Sequence, residues 1–155
     1  MVTAWRVVKR KHFKSAFSGE GARLFGGRWN RPGTAMVYTA ESQSLAALEL
    51  LVRLDSAALL DEYVVCEAAI GERLIERLDA KRLPKHWEAD PAPESVKEIG
   101  DRWVAEGSCA VLQVPSAVIP AESLYLLNPK HADFRELRLG APMAFRLDRR
   151  LARRP

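Results

Sequence analysis

Cysteine is scarce in this chain of 155 residues, which holds only Cys66 and Cys109. One disulfide is arithmetically possible, but both thiols lie in strand-like apolar runs of a chain expected in the cytoplasm, so both are read as buried and free. Histidine is nearly as rare: His12, His86 and His131 stand apart, no two at metal-ligand spacing, and no Cys-x-x-Cys occurs. A zinc site is therefore not expected, and neither a metal nor a resident cofactor enters the expectation. No apolar run approaches the roughly 20 residues of a membrane helix. The opening Met1-Val2-Thr3-Ala4-Trp5-Arg6 lacks the basic-then-apolar order of a signal peptide, which gives the cytoplasmic expectation. A P-loop, a Gly-x-Ser-x-Gly elbow and a His-Glu-x-x-His pair are all missing. Gly19-Glu20-Gly21-Ala22-Arg23-Leu24 begins like a dinucleotide fingerprint but has Leu24 where the third glycine belongs, and it follows no clear strand.

What is there is an ordinary globular mixture. Hydrophobic residues make up 48% and charged residues 28%, enough for one sizeable core without staples. With no internal repeat and no low-complexity linker, residues 1–155 read as one domain. The net charge of +4 points to nucleic acid as a partner. Its distribution weakens that reading, because Arg146, Arg149, Arg150, Arg153 and Arg154 crowd a basic tail at about 146–155 and the rest is close to neutral. The tail reads as a solvated terminus or an interaction arm.

Hydrophobic spacing predicts strands over 4–8, 35–39, 63–70, 110–114, 123–127 and 134–139. It predicts a helix over 43–53 capped by Ser42, and an amphipathic helix over 94–106 with Val96, Ile99, Trp103 and Val104 on one face, stopped by Gly107. Residues 9–17 read as a short helical turn, 18–34 as a glycine-rich loop, 72–82 as a charged short helix or turn, and 84–93 as a loop. The mixed order predicts an α+β fold with a central mixed or antiparallel sheet flanked by helices.

Three positions stand out near the N-terminus. Glu49 sits in an apolar helical run, and glutamate is rarely buried without a partner. Either it forms an exposed i,i+4 pair with Arg53, or its carboxylate faces a site. Arg28 follows Gly26-Gly27, where the backbone can approach a ligand and a guanidinium can grip a phosphate; the alternative is a surface arginine. Tyr38 lies in a strand, as a core residue or a ligand platform. Arg6, flanked by Trp5, Val7 and Val8, needs a carboxylate or a ligand phosphate if it points inward. Ser116 follows Val114-Pro115 at a strand end, as a turn capper or a site group. Asn128-Pro129 reads as a turn, and His131 as a solvent-facing loop residue.

Trp5-Arg6, Gly27-Arg28-Trp29-Asn30, Val37-Tyr38-Thr39-Ala40, the Leu-x-x-Leu-Glu run ending at Glu49, Val114-Pro115-Ser116, and Leu127-Asn128-Pro129 with His131 and Phe134 occur in that order. This series resembles the RES-domain toxins of bacterial toxin–antitoxin pairs, a family named for an arginine, a glutamate and a serine. The resemblance implies a fold similar to ADP-ribosyltransferases. It also implies NAD as a substrate: NAD is broken down to nicotinamide and an ADP-ribose product, in the manner of an NAD glycohydrolase or phosphorylase, or its ADP-ribose is transferred to a protein. Carried over, Arg6 and Arg28 would hold the pyrophosphate or nicotinamide ribose, and Tyr38 the nicotinamide end. Glu49 would be the catalytic carboxylate and Ser116 would help position the nucleotide. The implied partner is an antitoxin with an Xre-like helix-turn-helix DNA-binding domain, its C-terminal region blocking the active site. A non-enzymatic binding module, motivated by the basic tail, is the competing reading.

Overall fold

The computed structural model describes residues 1–55 and 57–152. Eight strands make one sheet: β1 (Val2–Lys9), β2 (Val37–Ala40), β3 (Tyr63–Ile70), β4 (Ile75–Arg77), β5 (Val111–Pro115), β6 (Ser123–Leu127), β7 (Arg138–Leu139) and β8 (Met143–Phe145). The order is β4-β5-β6-β2-β1-β3-β7, with β8 also on β3. Every pairing is antiparallel except the parallel β4–β5 edge. The fold is therefore α+β with a mixed, mostly antiparallel sheet, as the order of elements predicts.

Side chains alternate across a strand, and the two faces carry separate apolar clusters. Val7, Val65, Leu112, Val114, Leu124 and Leu126 join residues of the helices on one face. Ala4, Val37, Ala68, Ile70, Val111, Tyr125 and Leu127 pack on the other, under Phe17, Phe134 and Leu137. Helix α2 (Gln43–Leu51) buries Leu45 and Ala46. Its start is fixed by Ser42 Oγ, which accepts the Leu45 N–H at 3.1 Å. Helix α3 (Glu94–Glu106) buries Val96 and Trp103 and ends at Gly107 in the left-handed region, φ 62°.

Four details depart from the sequence expectation. The glycine-rich segment contains a short helix, α1 (Glu20–Phe25). The charged stretch after β3 supplies strand β4, and β8 has no counterpart among the predicted strands. Within 134–139 the first three residues belong to a 3-10 turn (Ala132–Glu136), leaving only the two-residue β7. Cys66 is buried in β3, but Cys109 lies just before β5 and is half-buried; both are free. Arg153 and Arg154 of the basic tail lie outside the described residues.

The joint between β1 and β2 positions the site. These strands share one register pair, Trp5↔Ala40, whereas β1 and β3 share eight. The sheet is thus two well-hydrogen-bonded halves joined along a thin seam, with α2 packed against both β1 and β2.

Candidate active site

Arg6 lies at the seam. Its Nη1 donates to the Tyr38 carbonyl at 3.1 Å, on the neighbouring strand, where ladder pairing has stopped. Its Nε is buried without an acceptor. Burial, together with the nearby positive charge of Arg53, pulls the guanidinium pKa down to about 10, and Cys66 offsets this slightly. A desolvated cation with an unused donor is a costly arrangement unless an anion completes it.

The Tyr38 ring stands half-buried on the helix-covered face. Its hydroxyl donates to Asn30 Oδ1 at 2.6 Å and accepts the Trp29 N–H at 2.9 Å. Burial raises the phenol pKa well above its ordinary value, so it stays protonated and serves as a fixed strut. Asn30 is fully buried, and its Nδ2 donates to the carbonyls of Ala22, Arg31 and Thr34. Gly27 is required here, because a Cβ would sit 2.5 Å from the Tyr38 hydroxyl oxygen.

This locked turn presents Arg28. The Arg28 Nη1 donates to the carbonyls of Trp87 (3.1 Å) and Ala89 (2.8 Å), holding the 84–93 loop against the turn. Trp87 packs on the fully buried Trp29, with ring centroids 6.3 Å apart. On the other side, Arg31 pairs with Glu94 (2.9 Å) and Asp101 (3.3 Å) of α3. Helix α3 comes so close that a Cβ on Gly100 would lie 1.8 Å from the Trp29 carbonyl oxygen.

Glu49 does not form the i,i+4 ion pair. Arg53 Nε donates instead to the Glu49 main-chain carbonyl at 3.1 Å. The half-buried Glu49 carboxylate receives the Ser116 hydroxyl on Oε1 at 2.7 Å, from a residue 67 positions away. Ser116 is fully buried, and its Oγ accepts the N–H groups of Val118 (3.0 Å) and Ile119 (3.1 Å). Those two donors occupy the lone pairs of the oxygen, so its single proton is aimed at Glu49. Ser116 is thus both a turn capper and a support for the carboxylate, and among the described residues no donor reaches Glu49 Oε2.

Direct bonds therefore join Glu49 to Ser116 and Arg6 to Tyr38, while Arg28 meets Tyr38 through the Trp29 N–H. Arg53 links the groups, because it is bonded to the main chain of Glu49 and its charge acts on both Arg6 and Tyr38. No direct bond joins Glu49 to either Arg6 or Arg28 among the described residues. His131 serves the frame: Nδ1 accepts the Asp133 N–H at 3.0 Å, and Nε2 lies 2.9 Å from the Gly107 carbonyl, which defines a neutral Nε2–H tautomer. Sequence reasoning assigned no role to Asn30, Trp87 or Gly100. Only the position of Asn30, inside the Gly-Gly-Arg-Trp-Asn turn, could have drawn attention to it.

An α+β sheet thinned at one seam thus carries Arg6 and Tyr38 along it, with the Ser116-held Glu49 on the helix packed against both strands. Residues 3–148 match the RES domain, and the chain belongs to the RES-domain family. It is 38% identical to a protein of Yersinia enterocolitica named Toxin Res, over 95% of this chain and 97% of that one. It is 34% identical to a Sphingobium protein named Prs ADP-ribosylating toxin, over 97% and 96% of the two chains. Its fold superposes, at TM-score 0.72 and 20% identity, on a chain of the Mycobacterium tuberculosis MbcT–MbcA toxin–antitoxin complex, covering 94% of this chain and 84% of that one.

Proposed function

We propose that this chain is the toxin of a toxin–antitoxin pair and that it consumes NAD by breaking the nicotinamide–ribose bond. The observation that carries the reading is the half-buried Glu49 carboxylate, oriented by the committed Ser116 proton and with Oε2 left for a ligand. It is supported by family membership and by the relative named as an ADP-ribosylating toxin.

The chemistry asks little of the protein beyond placement. The bond between ribose C1′ and the pyridinium nitrogen breaks with its electron pair going to nitrogen, so nicotinamide leaves neutral and needs no general acid. The ribose passes through an oxocarbenium-like state. Glu49 stabilises that positive charge and orients a ribose hydroxyl, while Ser116 holds the carboxylate in place. Arg6 and Arg28 bind the phosphates and nicotinamide ribose, and Tyr38 orients the nicotinamide end. Water, phosphate or a protein side chain then bonds to C1′ and gives up its proton. Preorganised electrostatics and positioning do the catalytic work, and neither a metal nor a resident cofactor has a role.

A second acceptor class rests on one specific observation, the Sphingobium relative's name: ADP-ribose transfer to a protein from the same site. The partner is an antitoxin, in keeping with the toxin–antitoxin complex that shares the fold. An Xre-like helix-turn-helix domain on that antitoxin is part of the proposal.

The test is NAD consumption by purified, partner-free protein beside Glu49→Gln. The variant should fold normally and lose turnover by about 100-fold or more, the scale of removing one preorganised electrostatic group. Equal rates in the two proteins would remove Glu49 from the mechanism. NAD stable in both, with label from NAD appearing on a discrete protein in a lysate, would favour the transferase.

A further inference from the structure

We infer that Arg53, together with Arg6, forms the seat for the diphosphate of the ligand, making Arg53 a further substrate-binding residue. This rests on the NAD reading for the identity of the nucleotide, but not for the existence of an anion site.

Helix α2, with Arg53 just past its end, packs against β1, which carries Arg6. The two arginines come from different places, yet the charge of Arg53 acts directly on Arg6. Arg53 is exposed and Arg6 half-buried, so a ligand meets one open cation and one desolvated cation, and an anion that reaches both neutralises both. Arg6 also leaves a buried Nε without an acceptor among the described residues, an unsatisfied donor on the strand that α2 covers.

Arg53 has the geometry to supply the other half. Its Nε is engaged, donating to the Glu49 carbonyl at the C-terminus of α2 at 3.1 Å. That bond anchors the side chain, and among the described residues its Nη atoms meet no acceptor. The outer edge of the guanidinium remains available for the two-pronged grip that suits phosphate oxygens. Arg53 forms no ion pair with Glu49, although the i,i+4 spacing favours one; its Nε is directed to the Glu49 main-chain carbonyl instead. The arrangement keeps a positive group beside the catalytic carboxylate without quenching it. A diphosphate suits two separated cations better than a single phosphate does, since each guanidinium can take one phosphoryl group, which leaves Arg28 to the nicotinamide ribose. The attached ribose would then lie towards Glu49, which precedes Arg53 by one helical turn.

The alternative role for Arg53 is to cap the helix alone, since a cation at a C-terminus favours the helix dipole. The two roles are separable. Binding of NAD, ADP-ribose and inorganic pyrophosphate is measured by calorimetry on wild type, Arg53→Gln and Arg53→Lys, with thermal melting of each unliganded protein. The expected result is a roughly 10- to 100-fold loss of affinity for all three ligands in Arg53→Gln, matching one charge-assisted contact of about 1.5–3 kcal/mol. Arg53→Lys should recover part of that loss, and the melting temperatures should stay close together. Affinity within twofold of wild type in Arg53→Gln would overturn the inference. So would equal losses in both variants with parallel drops in melting temperature, which mark a helix cap. If wild type binds pyrophosphate but neither nucleotide, and Arg53→Gln loses the pyrophosphate, the anion seat stands and the NAD reading fails. If wild type binds none of the three, both fail.

Discussion

The turn that carries Arg28 and the seam that carries Arg6 meet at Tyr38, yet they are built in opposite ways. In the turn, Asn30 uses both ends of its amide and the Tyr38 hydroxyl both donates and accepts. Arg31 fastens the same turn to α3. In the seam, ladder pairing is reduced to one residue pair and a buried guanidinium nitrogen is unsatisfied. The difference separates the frame, where polar groups find one another, from the working surface, where they are left for something else. Stability resides in the first and is sacrificed in the second.

Substitutions in each region test this contrast. The largest loss of stability should come from Asn30→Ala, which strips Tyr38 of its acceptor and three carbonyls of their donor. At about 1–3 kcal/mol for each buried group left unpaired, the domain should lose roughly 3 kcal/mol or more by urea denaturation. Next is Gly100→Ala. The added methyl collides with main chain rather than a yielding side chain, so about 1–3 kcal/mol is expected, with α3 displaced and the Arg31 pairs weakened. Smallest is Arg6→Met, which removes a buried cation and replaces it with an apolar chain of similar length. Its stability should stay within about 1 kcal/mol of wild type while NAD binding collapses. A drop in stability for Arg6→Met as deep as that for Asn30→Ala would erase the distinction between frame and working surface.

The parts legible in the sequence are those governed by neighbours in the chain. Ser42 caps α2, Gly107 ends α3, and Val96 and Trp103 mark its buried face, all through contacts within a turn or two. Strands β4 and β8 escape because they are short edge pieces whose pairing, with Val111–Gln113 and Tyr63–Val65, is decided by tertiary contact. The glycine-rich segment hides α1, whose Ala22 carbonyl is used by the Asn30 turn. At the site, the oddity of Glu49 in an apolar run is visible, but its partner is not. Helical spacing offers Arg53, whereas the actual donor, Ser116, arrives from beyond β5. Arg28 likewise meets the 84–93 loop at separations of 59 and 61 residues, which no local pattern encodes.

The single Trp5↔Ala40 pair also gives the sheet a mechanical character. The molecule resembles a book whose covers are the β4-β5-β6-β2 and β1-β3-β7 halves, with α2 as the spine. Across the hinge the main chain supplies one ladder pair and accepts the Arg6–Tyr38 bond, so the covers are held chiefly by side chains: Val7 and Val65 of one pack with Leu112 and Leu126 of the other. The stitching is sparsest where Arg6 lies, the glue is apolar, and Glu49 is fixed to the spine itself.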